Sequence, residues 1–218
     1  MPVIVVASPK GGSGKSTVSV ILGTTFAHQG IPVTMLDCDP NKSLTIWSQK
    51  SPVPANVRVL SGISEPEIIK SIKSNDADGS IVVVDLEGVA SRLMSRAISQ
   101  ADLVIAPMRA TSLDAEIGAN ALNLIAEEEE ALGRDIPHAV VFTMTKALRS
   151  RQHSGIDESL REQGVDVIEP SLMERAAFSA IFAFGGDLYS MSPQGNMPAA
   201  IDNAEGFAEA VLARLSAE

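Results

Sequence analysis

Between residues 8 and 17 the chain reads Ser8-Pro9-Lys10-Gly11-Gly12-Ser13-Gly14-Lys15-Ser16-Thr17, directly after the apolar run Val3–Ala7. An apolar β-branched strand, a glycine-rich turn and a helix opening on Lys-Ser-Thr form the layout of a phosphate-binding loop. Glycine carries no Cβ, so the backbone N–H groups of such a turn can close around a phosphate. In that chemistry Lys15 reaches the β- and γ-phosphates of a nucleotide and Ser16 offers its hydroxyl to Mg²⁺. The strict G-x-x-x-x-G-K-[ST] pattern fails at one place, because Pro9 stands where the first glycine should be. What remains carries a second lysine, Lys10, at the start of the loop. A glycine-rich surface turn is the plainer explanation, and the strand before it and the helix after it count against that.

Two acidic stretches supply the groups such a loop needs nearby. Asp37-Cys38-Asp39-Pro40-Asn41-Lys42-Ser43 follows the apolar run Val33–Leu36. The bland reading makes Asp39 the cap of a helix whose first residue is Pro40. The functional reading makes Asp39 the carboxylate that orients or activates an attacking water, with Asp37 nearer the metal shell. Ile81-Val82-Val83-Val84-Asp85 has the Walker B form, four apolar residues ending in an acid. An aspartate at the tip of a buried strand is costly without a partner, and Mg²⁺ supplies one. Next come Leu86-Glu87-Gly88, where Gly88 permits close backbone approach. His28, His138 and His153 are scattered, and no Cys/His spacing suggests a metal site.

The loop with its added lysine resembles that of the ParA/MinD family of P-loop ATPases, which sort plasmids, chromosomes and other cargo. The resemblance implies ATP and Mg²⁺. Lys10 would cross to the partner's nucleotide in an ATP-bound homodimer, and Lys10, Lys15 and Asp39 would be the catalytic groups. Lys10, Gly11, Gly12, Ser13, Gly14, Lys15, Ser16 and Thr17 would hold nucleotide, and Ser16, Asp37 and Asp85 the metal. Asp37–Asn41 is similar to the family's D-x-D-P-Q switch, with Asn41 for the usual glutamine, whereas Leu86-Glu87-Gly88 departs from its common Pro-containing second switch. Leu103–Pro107 followed by Thr111–Asp114 resembles the strand and loop entering the family's dimer-facing helix, for which Thr111 or Ser112 is a cap candidate. Val141–Lys146 occupies the position from which family members contact adenine.

Lys146, Arg149, Arg151 and Arg161, with His153 among them, form the densest basic stretch. A solvated face is one reading, and a patch that meets DNA phosphates without sequence preference is the other. The resemblance implies non-specific DNA, a ParB-like or centromere-binding adaptor protein, and slow, partner-stimulated hydrolysis in a cytoplasmic, nucleoid-associated protein. The cargo is a plasmid, a chromosome or a DNA-transfer complex. A membrane-cycling ATPase of the MinD kind and a metabolic P-loop ligase are the alternatives. The final helical segment, Asp202–Leu215, carries more acid than base, which weakens the membrane reading.

Placing these groups requires strands and helices in alternation. Strand signals recur at Val3–Ala7, Pro32–Leu36, Val57–Leu60, Ile81–Val84, Leu103–Ala106, Ala139–Phe142 and Val165–Ile168, with helical spacing between them at Val18–His28, Glu65–Lys73 and Leu113–Ala131. This predicts an α/β fold of the three-layer P-loop NTPase kind: a mostly parallel twisted sheet with helices on both faces. Loops after the strands then share one edge, where every candidate lies. The 218 residues are 45% apolar and suit a single domain spanning 1–218. A net charge of −10 excludes a broadly basic coat but not a local cationic cluster. The lone Cys38 reads as a small core hydrophobe. Phe178 and Phe182, four apart, read as helix core, and Gly185–Pro198 as a surface loop.

Overall fold

The computed structural model describes residues 2–75 and 79–216. Seven strands form one sheet: β1 (Val3–Val6), β2 (Val33–Cys38), β3 (Val57–Ser61), β4 (Ile81–Leu86), β5 (Leu103–Met108), β6 (His138–Thr145) and β7 (Val167–Met173). They lie in the order β3-β2-β4-β1-β5-β6-β7, and every pairing is parallel. Eight helices connect or follow them: α1 (Lys15–His28), α2 (Ser43–Lys50), α3 (Ile68–Ser74), α4 (Arg92–Ile98), α5 (Ser112–Leu132), α6 (Arg151–Glu162), α7 (Ala176–Phe184) and α8 (Met197–Leu215).

The near-continuous Val/Ile runs follow from burial on both faces. Successive side chains alternate between faces, so each strand feeds two cores. Ile4, Val6, Met35, Val83, Ile105 and Val141 pack beneath α1, α2, α7 and α8. Val3, Val5, Leu36, Val82, Val84 and Val104 pack beneath α3, α4 and α5. Ala106, Met108, Val140 and Phe142 continue the second layer under α5 and α6. Cys38 is buried in it, as a small hydrophobe should be.

Three local expectations are corrected. Pro40 does not begin a helix: α2 starts at Ser43, behind Lys42 in a left-handed conformation (φ 52°). Asp39 instead accepts the Asn41 N–H at 2.7 Å, closing an Asx turn. The stretch from Gly185 is no simple surface loop either. Residues 185–188 are buried, and the Trp47 indole donates to the Gly186 carbonyl at 2.8 Å. The helix that follows begins at Met197, ahead of the expected Asp202.

α8 buries Ala200, Ala204, Phe207 and Val211 in the first core, and Arg214 pairs with Asp166 at its end. Its apolar stripe is therefore spent on the sheet. Among the described residues, no helix is long and apolar enough to cross a membrane.

Trp47 is fully buried, and its N–H is the donor that satisfies Gly186. Trp47→Phe should destabilise the protein by about 1–3 kcal/mol, the cost of leaving a buried carbonyl unmet. Urea denaturation followed by far-UV circular dichroism would measure it.

Candidate functional site

Residues 8–14 leave the tip of β1 and turn back into α1. Gly12 and Gly14 take positive φ, 75° and 95°, and Gly14 stands as the left-handed cap of α1. A Cβ at Gly14 would lie 3.3 Å from Thr143 Cγ2, and one at Gly88 would come within 2.7 Å of the Gly11 nitrogen. Gly88, in the loop after β4, thus touches the phosphate loop so closely that backbone is the only thing that fits.

The two lysines sit differently. Lys15 is buried, and its Nζ donates to the Lys10 carbonyl at 2.9 Å. Burial lowers its pKa, against the attraction of Asp85, Asp39 and Glu87. Lys10 is partly exposed, and its Nζ pairs with Asp114 Oδ1 at 2.6 Å. Asp114 is buried in the first turn of α5 and also accepts from the Thr111 hydroxyl at 2.5 Å. Thr111 in turn caps the helix by accepting the Asp114 N–H. Burial opposes the charge on Asp114, yet the bonds from Lys10 and Thr111 hold its carboxyl below the usual range.

Asp37 and Asp85 are register partners on β2 and β4, and both are buried. Asp85 accepts from Ser16 at 2.7 Å and Ser19 at 3.1 Å. Asp37 Oδ2 accepts the Thr45 N–H and hydroxyl at 2.8 and 2.6 Å, while Oδ1 has no partner. A buried carboxylate oxygen left unmet, beside a second carboxylate and the Ser16 hydroxyl, fits a hard cation such as Mg²⁺. Among the described residues, no group of three His, Cys, Asp or Glu side chains could hold a metal. Such an ion would therefore complete its shell with hydroxyl, water and phosphate oxygens, as Mg²⁺ ordinarily does.

A cavity of about 350 Å³ opens over the loop, lined by Gly11, Gly12, Lys15, Ser16, Asp39 and Gly88 among others. A neighbouring cavity of about 280 Å³ runs between β6, β7 and α7 and shares Gly14, Thr17, Met144 and Phe182 with the first. One chamber is largely polar, with Lys15 and Asp39 as its charged groups. The other is walled by Leu172, Phe178 and Phe182, with Glu174 and Arg175 at hand, and suits a flat ring.

The chamber next to the loop shows what sequence reasoning passed over. Phe178 is core, as its spacing implied, but with Phe182 it also lines this wall. Asp114 and Thr143 fall in stretches that the resemblance points to, but their contacts with the loop, and that of Arg109, have no signal in the sequence. Single polar residues near strand ends or in a helix's first turn carry no motif, and only the topology brings them to the loop.

The basic stretch is divided. Arg149 pairs with Asp157 (3.3 Å) and Glu169 (2.5 Å), and Arg161 pairs with Asp157 (2.8 Å). Arg149, Asp157 and Arg161 line an open groove on α6 of about 600 Å³, distinct in character from the two chambers beside the loop. Lys146 and Arg151 are exposed and have no ion pair among the described residues. His153 does not belong to the basic surface. It is buried edge-on to Phe142, 4.7 Å between ring centroids, and burial together with the Arg149 charge lowers its pKa.

Parallel-sheet architecture and a glycine loop with its carboxylates at the sheet edge define a P-loop nucleotide-binding protein. The CobQ/CobB/MinD/ParA nucleotide-binding domain matches residues 4–188, and the chain belongs to that family, whose ParA/MinD members are ATPases. Protein ParA of Rhizobium radiobacter is 63% identical over 218 residues, covering 99% of this chain and 98% of its own. An ATP complex of a Cyanothece McdA variant superposes with TM-score 0.76 at 18% identity, covering 97% of this chain and 96% of its own. A plasmid partition protein of Borrelia burgdorferi bound to AMPPNP gives TM-score 0.72 at 20% identity, covering 98% and 99%. At these identities the two structures establish likeness of fold.

Burial pushes the Asp85 carboxyl up to about 7, against the bonds from Ser16 and Ser19. An unfolded aspartate titrates near ~4, so between roughly pH 4 and 7 the native state holds a proton that the unfolded chain has lost. This group therefore makes the nucleotide-free protein less stable as pH rises through that window. Thermal melts should give a lower midpoint near pH 8 than near pH 6, and Asp85→Asn should flatten the difference.

Proposed function

We propose that this chain is a ParA-type switch ATPase: ATP joins two copies, the dimer rides DNA without sequence preference, and an adaptor protein of the ParB kind stimulates hydrolysis and release. The observation that carries the reading is the placement of the two lysines. Lys15 lies inside the loop, where a nucleotide's phosphates would neutralise it, whereas Lys10 lies outside, on a carboxylate at the start of α5. A lysine directed away from its own loop is available to phosphates bound by a second copy. The 63% identity to Protein ParA over the whole chain supports plasmid partition as the setting.

The residues then divide the work. Loop N–H groups from Gly11 to Ser16 and the Lys15 ammonium bind the phosphate chain. Ser16, Asp37 and Asp85 would hold the ion, which would supply neutralisation of phosphate charge when bound. The Asp39 carboxylate, steadied by the Asn41 N–H, orients water for attack. Glu174, Arg175 and Phe182 surround the base. Hydrolysis without a partner is slow, because Lys10 begins bound to Asp114 and must be released before a dimer site is complete. The whole of 1–218 acts as one domain in this scheme.

DNA binding narrows to Lys146 and Arg151, since carboxylates already neutralise Arg149 and Arg161. Such a protein would be cytoplasmic and nucleoid-associated. The MinD-like alternative loses ground because α8 spends its apolar stripe on the core.

In DNA co-sedimentation with ATP, ADP or no nucleotide, binding should require ATP and vanish in Lys15→Ala and Lys10→Ala. Lys146→Ala/Arg151→Ala should weaken it about tenfold and reduce its salt dependence, whereas Arg161→Ala should change it little. Indifference to DNA in every nucleotide state would remove the partition reading. Asp114→Asn, which weakens the hold on Lys10, should shift ATP-dependent dimerisation to lower protein concentration, read by analytical ultracentrifugation.

A further inference from the structure

A phosphate loop works only while its N–H groups face the ligand, which requires its carbonyls to face away and find donors elsewhere. Three of those carbonyls have donors here. Lys15 Nζ serves the Lys10 carbonyl, Arg109 Nη2 serves Gly12 at 3.0 Å, and the Thr143 hydroxyl serves Ser13 at 2.7 Å. The Thr143 bond is the buried one, between residues 4% and 2% exposed.

The backbone around Thr143 is irregular in a way that aims this hydroxyl. Pairing of β6 with β7 shifts register between Val141 and Thr143 and again between Thr143 and Thr145. Met144 adopts φ 53°, a left-handed conformation that a long side chain takes at a cost. Irregularities of this kind re-aim side chains beside functional sites. The same side chain sets its methyl 3.3 Å from where a Cβ at Gly14 would stand, so Thr143 also leaves little room beyond a glycine at the next loop residue. Its hydroxyl also lies 3.3 Å from the Met108 carbonyl, the longer and weaker of its two acceptors.

We infer that Thr143 is a positioning residue for nucleotide binding: its hydroxyl holds the Ser13 carbonyl outward and thereby keeps the loop's N–H groups turned toward the phosphates. The inference rests on the nucleotide-site reading above. Because the brace acts on the loop and not on the terminal phosphate, it supports ATP and ADP alike.

The test is isothermal titration of MgATP and MgADP into wild type, Thr143→Val, Thr143→Ser, Arg109→Ala and Lys15→Ala, with thermal melts of each nucleotide-free protein. Thr143→Val keeps the shape and deletes the donor, and should weaken both nucleotides about tenfold. Thr143→Ser restores the hydroxyl and should stay within about twofold of wild type, and Arg109→Ala, at an exposed bond, within about threefold. Lys15→Ala calibrates the site: if it binds nucleotide as wild type does, the nucleotide reading itself fails. If Lys15→Ala abolishes binding while Thr143→Val binds normally, the brace is overturned and the site stands. A Thr143→Val that melts earlier yet keeps its affinity has a role in stability alone, which also overturns the proposal. Equal weakening in Thr143→Val and Thr143→Ser would assign the effect to shape and overturn it too. Should Thr143→Val fail to fold, Thr143→Ala takes its place with the same expectations.

Discussion

The Asp85 carboxylate is the group on which the rest of this molecule turns. A charge with no exposure at the end of a central strand cannot persist without donors, and burial alone would expel it. Its donors, Ser16 and Ser19, lie three apart on the first turns of α1 and so face the same way. Satisfying one carboxylate therefore fixes α1 against β4, and with α1 the loop that precedes it. Asp37, its register neighbour, does the same for α2 through Thr45. Two aspartates side by side repel one another when both are charged, and either a proton on Asp85 or a cation between them relieves that. The fold thus presents the pair side by side, with one Asp37 oxygen still unmet.

Asp114 shows a similar economy at the other side of the loop. It sits in the first turn of α5, where a negative charge interacts well with the helix dipole, and it holds Lys10 from that position. Removing Lys10 leaves the carboxylate with Thr111 and the helix end, so release does not strand a buried charge. A pair built in this way can open without disordering its surroundings, which is what a switch contact requires.

Much of this was legible in the residues. The seven strands and the loop could be placed because β-branched runs bounded by turn residues and glycine spacing are strong signals, though the seventh strand runs on to Met173, beyond the expected Ile168. The edge where Asp39 and Asp85 meet the loop followed from parallel topology. What sequence could not show was geometry set by pairing partners distant in the chain. Asp39 before Pro40 looked like a helix cap, and became a turn because Lys42 took the left-handed position that delays α2 to Ser43. Arg149 and Arg161 looked like free cations until β7 and α6 brought Glu169 and Asp157 to them. His153 looked basic among its neighbours, and burial against Phe142 removes it from the surface. Buried glycines at 185 and 186 looked like punctuation, though Trp47 and Ser51 crowd them.

The strand order has a consequence for how the chain is made. β1 lies between β4 and β5, so one of its edges pairs only once β4 exists and the other only once β5 does. Its loop waits longer still, for Asp114 and Thr143, separated from their partners by 104 and 130 positions. An emerging chain thus carries an unpaired run of valine and isoleucine while β2, β3 and the helices between them are made, the condition under which strand edges find wrong partners. Long-range parallel pairing is slow to close. The loop's full set of contacts is accordingly completed late, and a chain interrupted before β6 could hold a partial sheet with its loop unbraced by Thr143.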